Sequence, residues 1–201
     1  MSGKQRIGVM GGTFDPIHHG HLAAANEAGH AFGLDEVVFV PAGRPWQKSG
    51  RELAPAEDRY AMTVIGTASN PLFSVSRIEI DRPGHTYTID TARALRAGYA
   101  ASAEIFFIIG ADSLSRLRTW HEPAELLSMV HFIGLTRRGH ELTDNALRPE
   151  SFSLLEMPTL EVSSTVVRSR IQAGLPIRYL VPEGVVQYIA KRGLYRDPAA
   201  R

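Results

Sequence analysis

Residues 6–22, RIGVMGGTFDPIHHGHL, decide how this chain is read. Arg6–Met10 is a short apolar run with the composition of a buried strand. Gly11 and Gly12 follow, where the missing β-carbons let the backbone turn tightly, and the residues from His18 onward lead into a helix. A strand, a glycine turn and a helix in that order open a β-α-β unit, the building block of parallel sheets. The rest of the chain repeats the alternation. Strands are predicted at Glu36–Val40, Phe73–Ile80, Glu104–Ile109, His131–Leu135 and Ser153–Glu156, each bounded by turn-forming residues. Leu22–Phe32 reads as a helix, and Ala61, Val64, Ile65 and Ala68 recur at i, i+3, i+4 and i+7, which predicts an amphipathic helix with that stripe against the sheet. A closing helix starts at Pro182 and stops at Gly193.

Composition limits what such a domain does. The 201 residues, 44% hydrophobic and 21% charged, are those of an ordinary soluble globular chain, not a disordered or collagen-like one. Twenty-two Lys and Arg against 21 Asp and Glu leave a net charge of +1, so no broad field points to nucleic acid or an acidic membrane. Any anion must be held locally. The absence of cysteine excludes disulfides, thiolate zinc sites, iron–sulfur clusters and a cysteine nucleophile. SGKQRIGVMGG reaches glycine too early for a signal peptide and no apolar run approaches the roughly 18 residues of a membrane span, so the expected location is the cytoplasm. One connection is long for a β-to-α loop: residues 41–53, PAGRPWQKSGREL, read either as a mobile lid or as a solvated excursion.

Three segments hold candidate chemistry. His18 and His21 share one face at the head of a helix, with Gly20 between them keeping the approach open, and a helix N-terminus favours anionic ligands. The pair suits hydrogen bonding to phosphoryl oxygens. Neither the dinucleotide glycine fingerprint nor a Walker loop is present, and two histidines without a third ligand do not make a zinc site. Val162–Arg170, VSSTVVRSR, places Ser163, Ser164 and Thr165 at a second helix start with Arg168 one turn on, a second anion cradle that suggests the other end of one polyphosphate. Gly110 and Asp112 follow the run EIFFII, where a carboxylate either holds ribose hydroxyls or caps a helix. Trp120 offers a stacking face for a heteroaromatic ring or a core side chain. Asp15 reads as a turn or cap residue beside Pro16.

GGTFDPIHHGHL and VSSTVVR resemble the HxGH and ISSTxIR motifs of the nucleotidyltransferase superfamily. More narrowly, the chain is similar from end to end to bacterial nicotinate-nucleotide adenylyltransferases, with GHTYTIDT, GADSLSRLRTW and the closing PIRYLVPEGVVQYIAKRGLY also matching. The resemblance implies an α/β fold, one Rossmann-like doubly wound domain over residues 1–201 with a mainly parallel sheet and a small C-terminal helical part at 162–195. It implies adenylyl transfer from ATP to nicotinate mononucleotide, giving deamido-NAD and pyrophosphate, with Mg²⁺ carried on the ATP phosphates. His18, His21 and Arg168 would be catalytic. Gly11, Gly12, Thr13, Phe14, Gly110, Asp112, Ser164 and Thr165 would bind ATP, while Thr88, Trp120, Arg137 and Lys48 would bind the mononucleotide. Two departures stand out: Gln47 where relatives often have His, and Arg138 where they often have Pro.

Related readings stay open at this point: transfer to nicotinamide mononucleotide or phosphopantetheine, a cytidylyl transfer, or a nucleotide-binding regulator without turnover. The preference between nicotinate and nicotinamide and the oligomeric state are not legible in the residues.

Overall fold

The computed structural model describes residues 4–45, 53–137, 151–157 and 160–196, with Arg137 as backbone only. Among them six strands form one sheet: β1 (Arg6–Gly12), β2 (Glu36–Pro41), β3 (Phe73–Val75), β4 (Glu104–Gly110), β5 (His131–Arg137) and β6 (Phe152–Met157). The order is β3-β2-β1-β4-β5-β6 and every pairing is parallel. Helices α1 (His19–Ala31), α2 (Ala56–Thr67), α3 (Thr88–Gly98), α4 (Ala111–Leu114), α5 (Pro123–Met129), α6 (Ser164–Gln172) and α7 (Glu183–Arg192) join and flank the strands.

Strand alternation divides the core into two layers. Ile7 and Val9, Val38 and Val40, Ile105 and Phe107 enter one cluster with Ile89, Leu95, Leu117 and Leu126, from α3 to α5 and the turn before α5. Met10, Val37, Phe39, Phe106 and Ile108 enter the other, with residues of α1, α2, α6 and α7. Both faces of the sheet are covered, so the central strands are apolar throughout rather than alternating with polar residues. The α/β doubly wound architecture expected from the sequence is the observed one. Among the described residues no helix is long and apolar enough to cross a membrane.

Two local expectations fail. The predicted strand Phe73–Ile80 stops at Val75. Arg77 donates to Glu57 at 2.7 and 2.9 Å and to Asp81 at 3.0 and 3.2 Å, and Asp81 N–H bonds back to the Arg77 carbonyl at 2.9 Å, which winds the chain into a turn. The stripe Ala61, Val64, Ile65 and Ala68 does not form the buried face of α2 either. Val64 is 39% exposed, and the buried residues are Asp58, Arg59, Met62, Thr63, Gly66 and Thr67. Polar side chains tolerate this because each is bonded. Asp58 accepts from Tyr188 Oη (2.8 Å) and Arg192 Nε (2.9 Å) of α7, and the Thr63 and Thr67 hydroxyls each donate to the carbonyl four residues back at 2.8 Å.

Candidate active site

Strand order changes direction between β1 and β4, and in open parallel sheets ligands bind beyond the carboxyl ends of strands at that point. A cavity of about 700 Å³ opens there. Gly11, Gly12 and Thr13 leaving β1, Gly110 and Asp112 after β4, His18 and His21 at the start of α1, Thr88 at the start of α3 and Trp120 all line it. The tertiary fold thus gathers most of the residues singled out in the sequence around one space.

His18 is the N-cap residue of α1, with extended backbone (φ −146°, ψ 168°). Its N–H donates to Nδ1 of His21 at 3.3 Å, so a neutral His21 carries its proton on Nε2. The two rings stack at 3.6 Å between centroids and 22° between planes, and Phe14 meets His21 edge-on at 5.1 Å. Phe14 has a left-handed backbone (φ +48°) that turns its ring into the core, beneath Gly12. At Gly20 a β-carbon would lie 3.0 Å from His18 Nδ1, so glycine there leaves room for the imidazole.

His18 is buried, and its Nδ1 has no hydrogen-bond partner among the described residues. Burial, with a smaller contribution from the neighbouring His19, lowers its pKa from 6.5 to about 4. The imidazole is therefore neutral at pH 7. An unfolded chain protonates His18 near pH 6.5 while the folded chain resists down to about 4, so this group's contribution to stability is complete above 6.5 and is lost as pH falls toward 4. A phosphoryl anion beside the ring would favour imidazolium and raise the pKa. Proton NMR titration of His18 should show a midpoint well below 6 in the free protein that moves up on adding pyrophosphate; an immobile midpoint removes His18 from anion contact.

The second motif packs against the first. Ser163 caps α6 by accepting from Val166 N–H at 3.2 Å, and Ser164 Oγ donates to the Pro16 carbonyl at 2.9 Å. Arg168 donates to Thr165 Oγ1 at 3.3 Å and to the Asp15 carbonyl at 2.6 Å, with the same Nη1 3.6 Å from Asp15 Oδ2. Ser164, Thr165 and Arg168 thus stand against the 15–18 loop and are not among the cavity-lining residues. The second cradle is bonded to the first.

Asp15 is the reason. It stands in a turn with Pro16, as its sequence suggests, but its carboxylate is buried, and its Oδ1 accepts from Tyr195 Oη at 2.8 Å and from Ala54 N–H at 3.2 Å. Three segments distant in sequence meet on this residue. Asp112 is not a helix cap, since Gly110 holds the N-cap of α4 and Asp112 lies in its first turn. Trp120 lines the cavity and packs edge-on against Phe132 at 6.3 Å. Lys48, Gln47 and residues 46–52 of the expected lid, the Arg137 side chain and Arg138 lie outside the described residues. Among the described residues no group of three His, Asp or Glu could hold a metal ion.

A family model described as cytidylyltransferase-like matches residues 9–170. A probable nicotinate-nucleotide adenylyltransferase of Acidothermus cellulolyticus is 61% identical over 202 residues, covering 98% of this chain and 97% of that protein. One of Saccharopolyspora erythraea is 59% identical, covering 98% and 92%. The chain belongs to the nicotinate-nucleotide adenylyltransferase family. Its fold is also that of the Plasmodium falciparum nicotinic acid mononucleotide adenylyltransferase complexed with NaAD, with a TM-score of 0.78 at 21% identity over 95% of this chain and 97% of that one.

For a nicotinate-nucleotide adenylyltransferase, the polar groups that the sequence left unmarked are as informative as the motifs. Glu79 lines the cavity, accepts from Thr91 Oγ1 at 2.7 Å, and has its pKa raised by burial. Tyr87 and His121 stack at 4.7 Å on the same cavity lining. Arg59 is buried beneath the β1 loop. Tyr87 falls within GHTYTIDT without being singled out there, while Glu79, His121 and Arg59 belong to no motif, and in sequence each reads as a polar position on a strand, loop or helix surface.

Proposed function

We infer that the chain transfers the adenylyl group of ATP to nicotinate mononucleotide. A phosphate oxygen of the mononucleotide attacks the α-phosphorus of ATP in line, the bond to the β-phosphate oxygen breaks, and deamido-NAD and pyrophosphate leave. The attacking monoester is already mostly ionised at pH 7, its second pKa being about 6, so no side chain has to remove a proton. Catalysis then rests on positioning and on stabilising charge. The observation that carries this reading is the cavity between β1 and β4 with the stacked His18 and His21 on its lining.

In this reading His18 and His21 donate to the triphosphate, the Gly11–Phe14 backbone wraps the nucleotides, and Gly110 and Asp112 hold ribose. Thr88, through its main chain, and Trp120, by stacking, take the nicotinate ring. Arg137 meets the mononucleotide phosphate and Lys48 acts from the lid. Ser164, Thr165 and Arg168 support the triphosphate; for Arg168 this requires its guanidinium to exchange the Asp15 carbonyl for a phosphoryl oxygen. Mg²⁺ enters with ATP, as part of the substrate. The whole of 1–201 works as one nucleotidyltransferase domain, with 162–195 as its C-terminal helical part, in the cytoplasm.

The test is pyrophosphate release from ATP offered nicotinate mononucleotide, nicotinamide mononucleotide or phosphopantetheine in parallel. The expected outcome is turnover with nicotinate mononucleotide at least ten times faster than with either of the others. Preference for another acceptor, or no release with any, overturns the reading.

A further inference from the structure

Arg59 is the largest fully buried side chain among the described residues, at 2% exposure, and no motif accounts for it. Its three nitrogens donate to three carbonyls from three stretches of chain: Nη1 to Thr13 at 2.8 Å, Nη2 to Gly43 at 3.1 Å and Nε to Ala54 at 3.0 Å. No carboxylate lies within ion-pair distance of it among the described residues, and Asp15 and Glu79 offset its charge only from farther away. A buried cation without an adjacent anion is costly, and packing alone would be served by an apolar residue. What a guanidinium offers instead is a planar fork whose donors reach separate acceptors at fixed angles.

The three acceptors explain the choice. Thr13 lines the cavity, and holding its carbonyl against Arg59 turns the N–H of Phe14, in the same peptide plane, the opposite way. Gly43 and Ala54 stand at the two flanks of the β2–α2 connection. Gly43 runs so close to the Glu79 backbone that a β-carbon would collide with the Glu79 carbonyl oxygen, and Ala42 N–H bonds the Gly12 carbonyl at 2.8 Å. On the other flank, Ala54 N–H is held by Asp15. Both ends of the connection and the β1 loop therefore converge on one side chain.

We propose that Arg59 is a positioning residue, its guanidinium fixing the Thr13 peptide and both flanks of the β2–α2 connection in the register that the nucleotide cleft requires. This rests on the adenylyl-transfer reading for its effect on rate, though not for its effect on the backbone. Lysine keeps the charge but places all its donors on one nitrogen, which cannot span three separate carbonyls.

The experiment compares wild type with Arg59→Lys by kinetics and by amide hydrogen exchange. The variant should keep the wild-type circular dichroism, lose about 10²-fold in kcat/KM, as a misplacement near 1 Å does, and keep that loss at 10 °C, where a merely destabilised enzyme recovers. Exchange should quicken in peptides covering 11–16, 42–45 and 53–56 and not elsewhere. Wild-type exchange in those peptides, or a kinetic loss that disappears at 10 °C, overturns the proposal. If wild type itself does not turn over, the function reading fails and the exchange result still judges the tie. Should the lysine variant not fold, Arg59→Ala is assayed with methylguanidinium: saturable recovery of kcat/KM supports the tie, and no recovery overturns it.

Discussion

His18→Ala should lower kcat by about 10²-fold or more, the usual loss when one preorganised donor to a charge-developing oxygen is removed. The KM for ATP should move less, because the contact strengthens as charge builds on the departing pyrophosphate. The same substitution has a second signature away from catalysis. Wild-type His18 takes up its proton only near pH 4 in the folded chain, so it draws stability down between pH 6.5 and 4. The alanine variant lacks this group, and its urea-unfolding free energy should fall less over that interval than the wild type's. Steady-state kinetics and denaturation at pH 5 and 7 check both effects. Turnover near wild type would remove His18 from the charge-stabilising role, and unaltered pH dependence would show that its burial is not what the structure describes.

Asp15→Ala should cost about 3 kcal/mol of folding stability, since it strands two donors and removes a nearby counter-charge, and each buried polar group left unsatisfied costs roughly 1–3 kcal/mol. The loss leaves Tyr195 Oη and Ala54 N–H without the acceptor each now has, and takes the carboxylate away from Arg168. For a chain of this length that corresponds to a fall in Tm of roughly 10 °C. Asp15→Asn keeps an acceptor oxygen and should lose less. A Tm within about 2 °C of wild type for the alanine variant would contradict the central place of Asp15, since surface substitutions cost no more than this.

The two residues differ in how far they were legible beforehand. His18 lies in a glycine-flanked segment whose helix start and i, i+3 spacing are local, and short-range geometry is written in short-range sequence. Its burial and depressed pKa were not legible, because they depend on the rings and loops that close over it. Asp15 carried no local sign of its role. Beside a proline it reads as a turn residue, while its partners are Tyr195, 180 positions later, Arg168, 153 later, and Ala54, 39 later.

The face of α2 follows the same division. An apolar stripe at i, i+3, i+4 and i+7 gave the right helix and the wrong buried side, since hydrophobic period is decisive only when polar residues find no partners inside. Arg59 and Asp58 find theirs in the β1 loop, the β2–α2 connection and α7. What the amino-acid sequence determined by itself is the alternation of strands and helices, the glycine turn after β1 and the two capped helix starts, all governed by interactions within a few residues. Only the tertiary structure decided which charges are buried and which loops they hold, because a charge can be buried only when hydrogen-bond partners from distant segments, donors for the carboxylates and acceptors for Arg59, arrive together.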